Sequence, residues 1–360
     1  MSVSDKLKDL RVQIDTVDDE LLRLFNQRAS LAQTVGEVKG GAVVYRPERE
    51  AQVLRRLTEN NPGPLPAKAV AHLFTEVISA CRAQEDMLAV ACLGPRGTFS
   101  EEALEKHFGG QVPNVMCGSI DEVFRAVESG TVGYGVVPVE NSTEGAVGRT
   151  MDLLLVTPLN VCGEITLPVH QNLLSKAESR ERIQRIYSHA QSLAQCAGWL
   201  SQQLPGIERI AVASNAEAAR RAAEEPEAAA IAGRPAAEVY GLPILFSDIE
   251  DQPDNTTRFL VIGRQIFSPS GKDKTSLLLS GHEGPGLLYG LLKPLQEHGV
   301  NMTRIESRPS RHGKWAYVFF VDLEGHADDE NVKAALADLQ KVSKLSRVLG
   351  SYPRAVLAPS

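Results

Sequence analysis

Between residues 5 and 39, apolar side chains recur at Leu7, Leu10, Ile14, Val17, Leu21, Leu24, Leu31, Val35 and Val38. This three-four alternation lays one apolar seam along a helix, and it predicts a single long helix that needs a helical partner. Two more helices follow. The first begins at Pro47, where a missing N–H costs nothing, and stops before Asn60-Asn61-Pro62-Gly63-Pro64. The second runs from about Pro66 to Glu85, so residues 1–87 read as an all-helical domain. From Leu88 the texture changes to short β-rich runs (LAVACLG, VGYGVVPVE, ITLPV, IQRIYSH, RIAVAS, AAAIAG, TRFLVIG) separated by helical runs such as EEALEKHF and LAQCAGWLSQQL. That alternation predicts an α/β domain over residues 88–268, with a core independent of the helical unit. Ser-Pro-Ser-Gly between Arg264 and Asp273 reads as a linker. Residues 274–355 then run strand, helix, strand, strand, helix, strand, the βαββαβ order of a ferredoxin-like α+β module.

The length of 360 residues suits this division into three. Hydrophobic residues at 43% and charged residues at 23% describe ordinary globular protein. A net charge of −7 argues against a nucleic-acid partner while leaving room for local basic pockets. No apolar run is long enough for a membrane span, and MSVSDKLKDL lacks the apolar core of a signal peptide, so a cytoplasmic enzyme with no membrane partner is expected. The five cysteines are scattered without a C-x-x-C pair, which predicts buried free thiols. The eight histidines show neither H-x-x-x-H nor H-E-x-x-H spacing, and neither metal nor cofactor is expected.

One position breaks the long seam: Arg28 occupies the slot that Leu21 and Val35 hold one heptad to either side. A cation facing a bundle interior is either an ion pair that fixes register or a ligand contact. Arg11 and Lys39 flank the same seam and Arg49-Glu50 enters on the second helix, which favours an anionic ligand. Arg11 and Arg28 stand roughly 25 Å apart along one helix, too far to grip one small molecule. If Arg11 joins the site, it comes from another chain, and an antiparallel homodimer of long helices would bring it there.

The pattern LRVQID through YRPEREAQVL to HLFTEVISACRAQE resembles the all-helical class of chorismate mutase. The resemblance implies that Arg28 and Lys39, with Arg11 of a partner, clasp chorismate, and that Arg49, Glu50, Cys81 and Glu85 complete the pocket. A Claisen rearrangement needs only a compact conformer and donors where negative charge grows on the ether oxygen. Some family members carry glutamine where this chain has Glu85, and a carboxyl donates a hydrogen bond only when protonated.

GPRGTFS, GVVPVENSTEG, YSHAQSLAQC and NTTRFLVIG together resemble prephenate dehydratase. The implied fold is two α/β lobes around a cleft, with the chain crossing near residues 165 to 175 and returning near TRFLVIG. The implied functional positions are Asn141, Ser188, Gln195 and Thr257. Thr257 would orient or relay a proton at the departing ring hydroxyl; His189, Glu140 and Glu144 are nearby acids or loop residues. Thr98 and Glu101 make a capping box after GPRG, a turn able to offer backbone donors to a carboxylate. GPGLLYGLLKPL, NMTRIESRPSR and WAYVFFVDLEGH resemble the amino-acid-binding ACT domain. By that resemblance Gly286, Leu287, Leu288 and Tyr289, with Glu306, Ser307, Arg308 and Pro309, bind phenylalanine between subunits. Together the three imply a bifunctional mutase and dehydratase, under feedback inhibition by L-phenylalanine, that turns chorismate into prephenate and prephenate into phenylpyruvate. A fused dehydrogenase would need a dinucleotide fingerprint, which the sequence lacks. A phenylalanine-sensing protein without catalysis, and a pyruvate-lyase on the helical scaffold, are the rivals.

Overall fold

The computed structural model describes residues 3–39, 45–84, 88–281, 284–309 and 317–356. The heptad seam forms one helix, α1 (Val3–Lys39), followed by α2 (Pro47–Glu59) and α3 (Ala67–Arg82). Pro47 opens α2 and Pro66 caps α3, as the sequence predicts. Leu7, Leu10, Ile14, Val17, Leu21 and Leu31 are exposed along α1, so among the described residues most of the seam is uncovered.

Residues beyond Leu88 form β1 (Val90–Leu93), α4 (Phe99–Phe108), β2 (Asn114–Cys117), α5 (Ile120–Ser129), β3 (Tyr134–Asn141), β4 (Gly145–Ala146), α6 (Gly148–Leu154) and β5 (Asn160–Pro168). The chain then crosses to a second lobe: β6 (Asn172–Ser175), β7 (Arg185–His189), α7 (Ala190–Gln195), α8 (Ala197–Gln203), β8 (Glu208–Val212), α9 (Asn215–Glu224), β9 (Ala228–Ala232), α10 (Arg234–Tyr240) and β10 (Ile244–Phe246). It returns as β11 (Thr256–Gly263), which inserts between β3 and β5. The first sheet has the order β2-β1-β3-β11-β5, with β4 on β3, and the second β10-β6-β9-β7-β8. Both crossings therefore fall where the dehydratase resemblance implies. The run LAQCAGWLSQQL is two helices rather than one. The break at Cys196 frees the Gln195 carbonyl to accept Asp251 N–H at 2.7 Å, while the Asp251 carboxylate caps α8 at Gly198 N and Trp199 N.

The terminal module comprises β12 (Asp273–Ser280), α11 (Leu287–Glu297), β13 (Met302–Pro309), β14 (Tyr317–Glu324), α12 (Glu330–Val342) and β15 (Leu345–Pro353) in the sheet order β13-β14-β12-β15. All its pairings are antiparallel, the ferredoxin-like arrangement expected.

The joints between units are packed. Residues 264–272 link β11 to β12 without helix or strand, as the sequence predicts, but the segment is tied down rather than free. Phe267 is buried, its carbonyl lies 3.0 Å from His326 Nε2, and Arg55 of α2 donates to Ser270 O, Ser270 Oγ and Lys272 O. Nor are the cores independent. Val137, Val139, Leu260 and Ile262 of the first lobe pack with Leu278, Phe320, Leu349 and Tyr352 of the terminal module in one cluster, sheet against sheet. Tyr45, which precedes α2, packs with Phe108, Tyr134 and Phe267. Hydrophobic pattern assigns a residue to its own element, but it does not say which other element covers the remaining face.

Candidate active sites and effector segment

Where the two lobes meet, strand ends come together. Asn141 closes β3 and Thr257 opens β11, and the register pairs them directly. Asn141 Nδ2 donates to Thr257 Oγ1 at 2.8 Å and to Asn255 Oδ1 at 2.9 Å. Its carbonyl oxygen accepts from the Thr143 backbone N–H, the Thr143 hydroxyl and the Glu144 N–H, so the VENSTEG turn folds around this one amide. Thr143 Oγ1 then accepts from Gln195 Nε2 of the second lobe at 3.4 Å. Three of the four expected positions thus converge across the cleft.

Ser188 has a different place. It is fully buried, and its hydroxyl lies 3.0 Å from Asn215 Oδ1 and 2.9 Å from Ile231 O. Asn215 Nδ2 passes the connection to Ser192 Oγ, and Gln171 Nε2 donates to both Ser192 Oγ and Gln195 Oε1. Buried polar groups of this kind fix rotamers because an unmade bond costs about 1–3 kcal/mol. Thr143, Gln171, Ser192, Asn215 and Asn255 were not singled out from the sequence; only their polarity next to the YSHAQSLAQC and VENSTEG strings hinted at them.

The nearby groups sort by geometry. Glu140 points away from the cleft and pairs with Arg304 at 2.7 Å, because neighbouring strand residues face opposite sides. His189 caps α7, its ring accepting from Gln191 N, and Glu144 is exposed. The Thr98 cap is present, its hydroxyl accepting from Glu101 N at 3.4 Å. The carboxylate that takes the GPRG backbone donor is the chain's own: Glu101 Oε2 accepts from Gly97 N at 2.5 Å. Gly97, at φ +82°, lies against Ala236 of the second lobe so closely that a Cβ would stand 2.9 Å from its Cα. That turn is a closure contact between lobes.

In the helical unit Arg28 is half-buried and its charge reaches Glu50; Arg11 is exposed on the same helix, far along its axis. Glu50 forms a 2.6 Å ion pair with Arg82, which donates onward to Phe108 O at 2.6 Å. Burial pushes the Glu50 carboxyl above its usual range, against the pull of Arg82 and Arg28. Arg82 was not anticipated. Cys81 is buried and Arg49 exposed. The Lys39 side chain and Glu85 lie outside the described residues. All five cysteines are free and buried, as predicted.

In the terminal module Gly286, at φ +82°, caps the start of α11, where Leu288 and Tyr289 are exposed. The register places Leu279 and Ser307 both opposite Phe319. The entry to α11, with Leu287, and the Glu306–Pro309 segment therefore share one end of the sheet.

A helical unit with an internal cation, a two-lobed cleft with convergent amides and hydroxyls, and a ferredoxin-like module together define a multidomain enzyme. Family profiles agree: chorismate mutase type II matches residues 10–86, prephenate dehydratase residues 90–266 and the ACT domain residues 275–340. The chain is 52% identical over 359 residues to a bifunctional chorismate mutase/prephenate dehydratase of Neisseria gonorrhoeae, covering 99% of each chain, and 44% identical to one of Aquifex aeolicus, covering 98% of this chain and 99% of that one. The crystal structure of a prephenate dehydratase from Arthrobacter aurescens in complex with L-Phe is similar at TM-score 0.70 and 34% identity, over 76% of this chain and 92% of that one. The chain belongs to the family of bifunctional chorismate mutase/prephenate dehydratases. Among the described residues no helix is long and apolar enough to cross a membrane.

Proposed function

We propose the following division of labour among the residues by which this chain converts chorismate to prephenate and prephenate to phenylpyruvate. In the helical unit Arg28 and Lys39, with Arg11 of a second subunit, bind the substrate carboxylates and ether oxygen. Arg49, Glu50 and Cys81 complete the pocket, and Glu85 donates to the ether oxygen when protonated. The carbon–oxygen bond breaks as the new carbon–carbon bond forms, and no covalent intermediate is required. Charge and confinement supply the rate.

In the cleft, the ring carboxylate of prephenate leaves as carbon dioxide and its bonding pair restores aromaticity, expelling the ring hydroxyl. The observation that carries this reading is the Asn141–Thr257 hydrogen bond. With Asn141 Nδ2 donating to Thr257 Oγ1, the threonine's own proton is free to be directed at the leaving hydroxyl. Gln195 closes the site from the other lobe through Thr143, and Ser188 acts indirectly by holding Asn215. The terminal module binds L-phenylalanine at Gly286–Tyr289 and Glu306–Pro309 and lowers dehydratase activity. This reading is supported by the L-Phe complex of the similar dehydratase. It carries with it a cytoplasmic homodimer whose α1 seams cover one another.

The test is one assay on purified protein: chorismate loss, prephenate and phenylpyruvate followed together, with and without phenylalanine and a nicotinamide cofactor. Phenylpyruvate formed equally in both nicotinamide arms, and suppressed by phenylalanine, is the expected result. Prephenate accumulating without phenylpyruvate would leave the cleft a binding site.

A further inference from the structure

The two strands that carry Asn141 and Thr257 present their next residues to the ACT module. Glu140 and Arg258 are register partners on the opposite face of the sheet. Arg258 is held by Asp322 at 2.6 Å, Tyr352 OH at 3.0 Å and Glu164 at 3.1 Å; Asp322 and Tyr352 both belong to the ACT sheet, where Ser276 joins them. Glu140 is held by Arg304 of β13 at 2.7 Å. Along β13 the residues Arg304, Glu306 and Arg308 alternate onto one face, and that face meets the dehydratase lobe. Arg304 Nη2 also lies 3.9 Å from the Glu306 carboxylate, and Arg308 pairs with Asp152 of α6 at 3.1 Å. The side chains of Arg258, Asp322 and Glu164 are all largely buried, so this joint is shielded from water and salt.

We infer that Glu140 and Arg258 are positioning residues for Asn141 and Thr257, and that Arg304 is the latch through which the effector segment reaches them. The inference rests on the assignment of Asn141 and Thr257 to the dehydratase site and of Glu306–Pro309 to the effector site. A ligand that reseats Glu306–Pro309 must move β13, and Arg304, two residues from Glu306 on the same strand face, carries that movement to Glu140. Glu140 is covalently next to Asn141, whose contact with Thr257 depends on the two strand ends keeping their spacing. A displacement of about 1 Å is enough to misplace a hydrogen-bonded catalytic pair.

The experiment uses the full chain with Arg304→Gln, Glu140→Gln and the double variant, and measures dehydratase kcat, KM for prephenate and the phenylalanine concentration for half inhibition. Mutase turnover reports that each variant is folded, and Thr257→Ala serves as the reference. Each single variant should lower dehydratase kcat about fivefold or more with KM within about twofold, and raise the half-inhibiting phenylalanine concentration about tenfold. The double variant should be no worse than either single one, since both break the same contact. Wild-type kcat and phenylalanine response in Arg304→Gln, with or without a lower melting temperature, would reduce the contact to interface packing and overturn the inference. Additive losses in the double variant would overturn it too. Thr257→Ala with full dehydratase turnover would instead sink the site assignment. If wild-type enzyme ignored phenylalanine, the effector arm would fall and the latch with it.

Discussion

A single amide organises the proposed dehydratase site. Asn141 uses its NH2 group on Thr257 and Asn255 and its carbonyl on the VENSTEG turn, so one side chain fixes both the Thr257 hydroxyl and the loop that meets Gln195. Removing the hydroxyl while keeping the fold tests this. Thr257→Ala should lower dehydratase kcat by about two orders of magnitude, the usual worth of one well-placed proton-handling group. Thr257→Ser should recover most of it, and mutase turnover should be unchanged in both. Comparable loss in Thr257→Ser and Thr257→Ala would assign the effect to the threonine methyl and packing. The functional strings were legible in sequence because they are short and local. The same motif reading marks Ser188 as a functional position, and the structure adds that its side chain is fully buried, which a motif does not reveal. Thr143, Gln171 and Asn215 were missed because their partners lie 52, 24 and 27 residues away along the chain.

Element ends do much of the joining, and here the sequence was least informative. Periodicity gave α1, α2 and the βαββαβ order nearly to the residue, because each buries one continuous stripe. It could not show that Arg82, in the last turn of α3, would span two domains. Arg82 pairs with Glu50, donates to Phe108 O and sits over the rings of Tyr45 and Phe108. Beside it, Tyr45 OH lies 2.5 Å from His107 Nε2. Burial, with Arg82 and Lys106 adding repulsion, lowers the His107 pKa from 6.5 to about 3, so the ring that shares this hydrogen bond is neutral. The unfolded chain takes up this proton as pH falls below 6.5, whereas the folded chain resists until about 3. The contribution of His107 to stability is therefore complete above pH 6.5 and is lost progressively on acidification through that window. His107→Gln keeps an acceptor for Tyr45 but cannot titrate. Its urea midpoint should fall less than that of the wild type between pH 6.5 and pH 4. Parallel curves for the two proteins would show that His107 is not an acid-sensitive part of the joint.

At the scale of the molecule, three sequence units share cores, and that changes what can be removed. The ACT sheet covers Val139, Leu260 and Ile262 and supplies Asp322 and Tyr352 to Arg258, so deletion from residue 273 onward would bare an apolar sheet face and leave Arg258 with Glu164 alone. Such a truncation should not yield the phenylalanine-insensitive but active dehydratase that a free linker would allow. Loss of soluble expression, or a melting temperature lowered by more than about 10 °C, is expected. A well-folded, active truncation would show that the shared core is dispensable. The opposite end of the chain has the reverse problem, with the α1 seam exposed over 37 residues, a helix roughly 55 Å long. In the proposed homodimer a second copy lying antiparallel would cover this seam and carry Arg11 to the neighbouring Arg28. Chains with Arg11→Ala and chains with Arg28→Ala should each lack mutase activity. In a mixed dimer one of the two sites combines the intact Arg28 of the first with the intact Arg11 of the second, and the other site carries both losses. Random exchange makes half the dimers mixed, so about a quarter of wild-type mutase activity should return on mixing, with dehydratase activity unaffected throughout. Subunit exchange verified by mass difference but without recovered mutase activity would place Arg11 outside the site and leave the seam a purely structural contact.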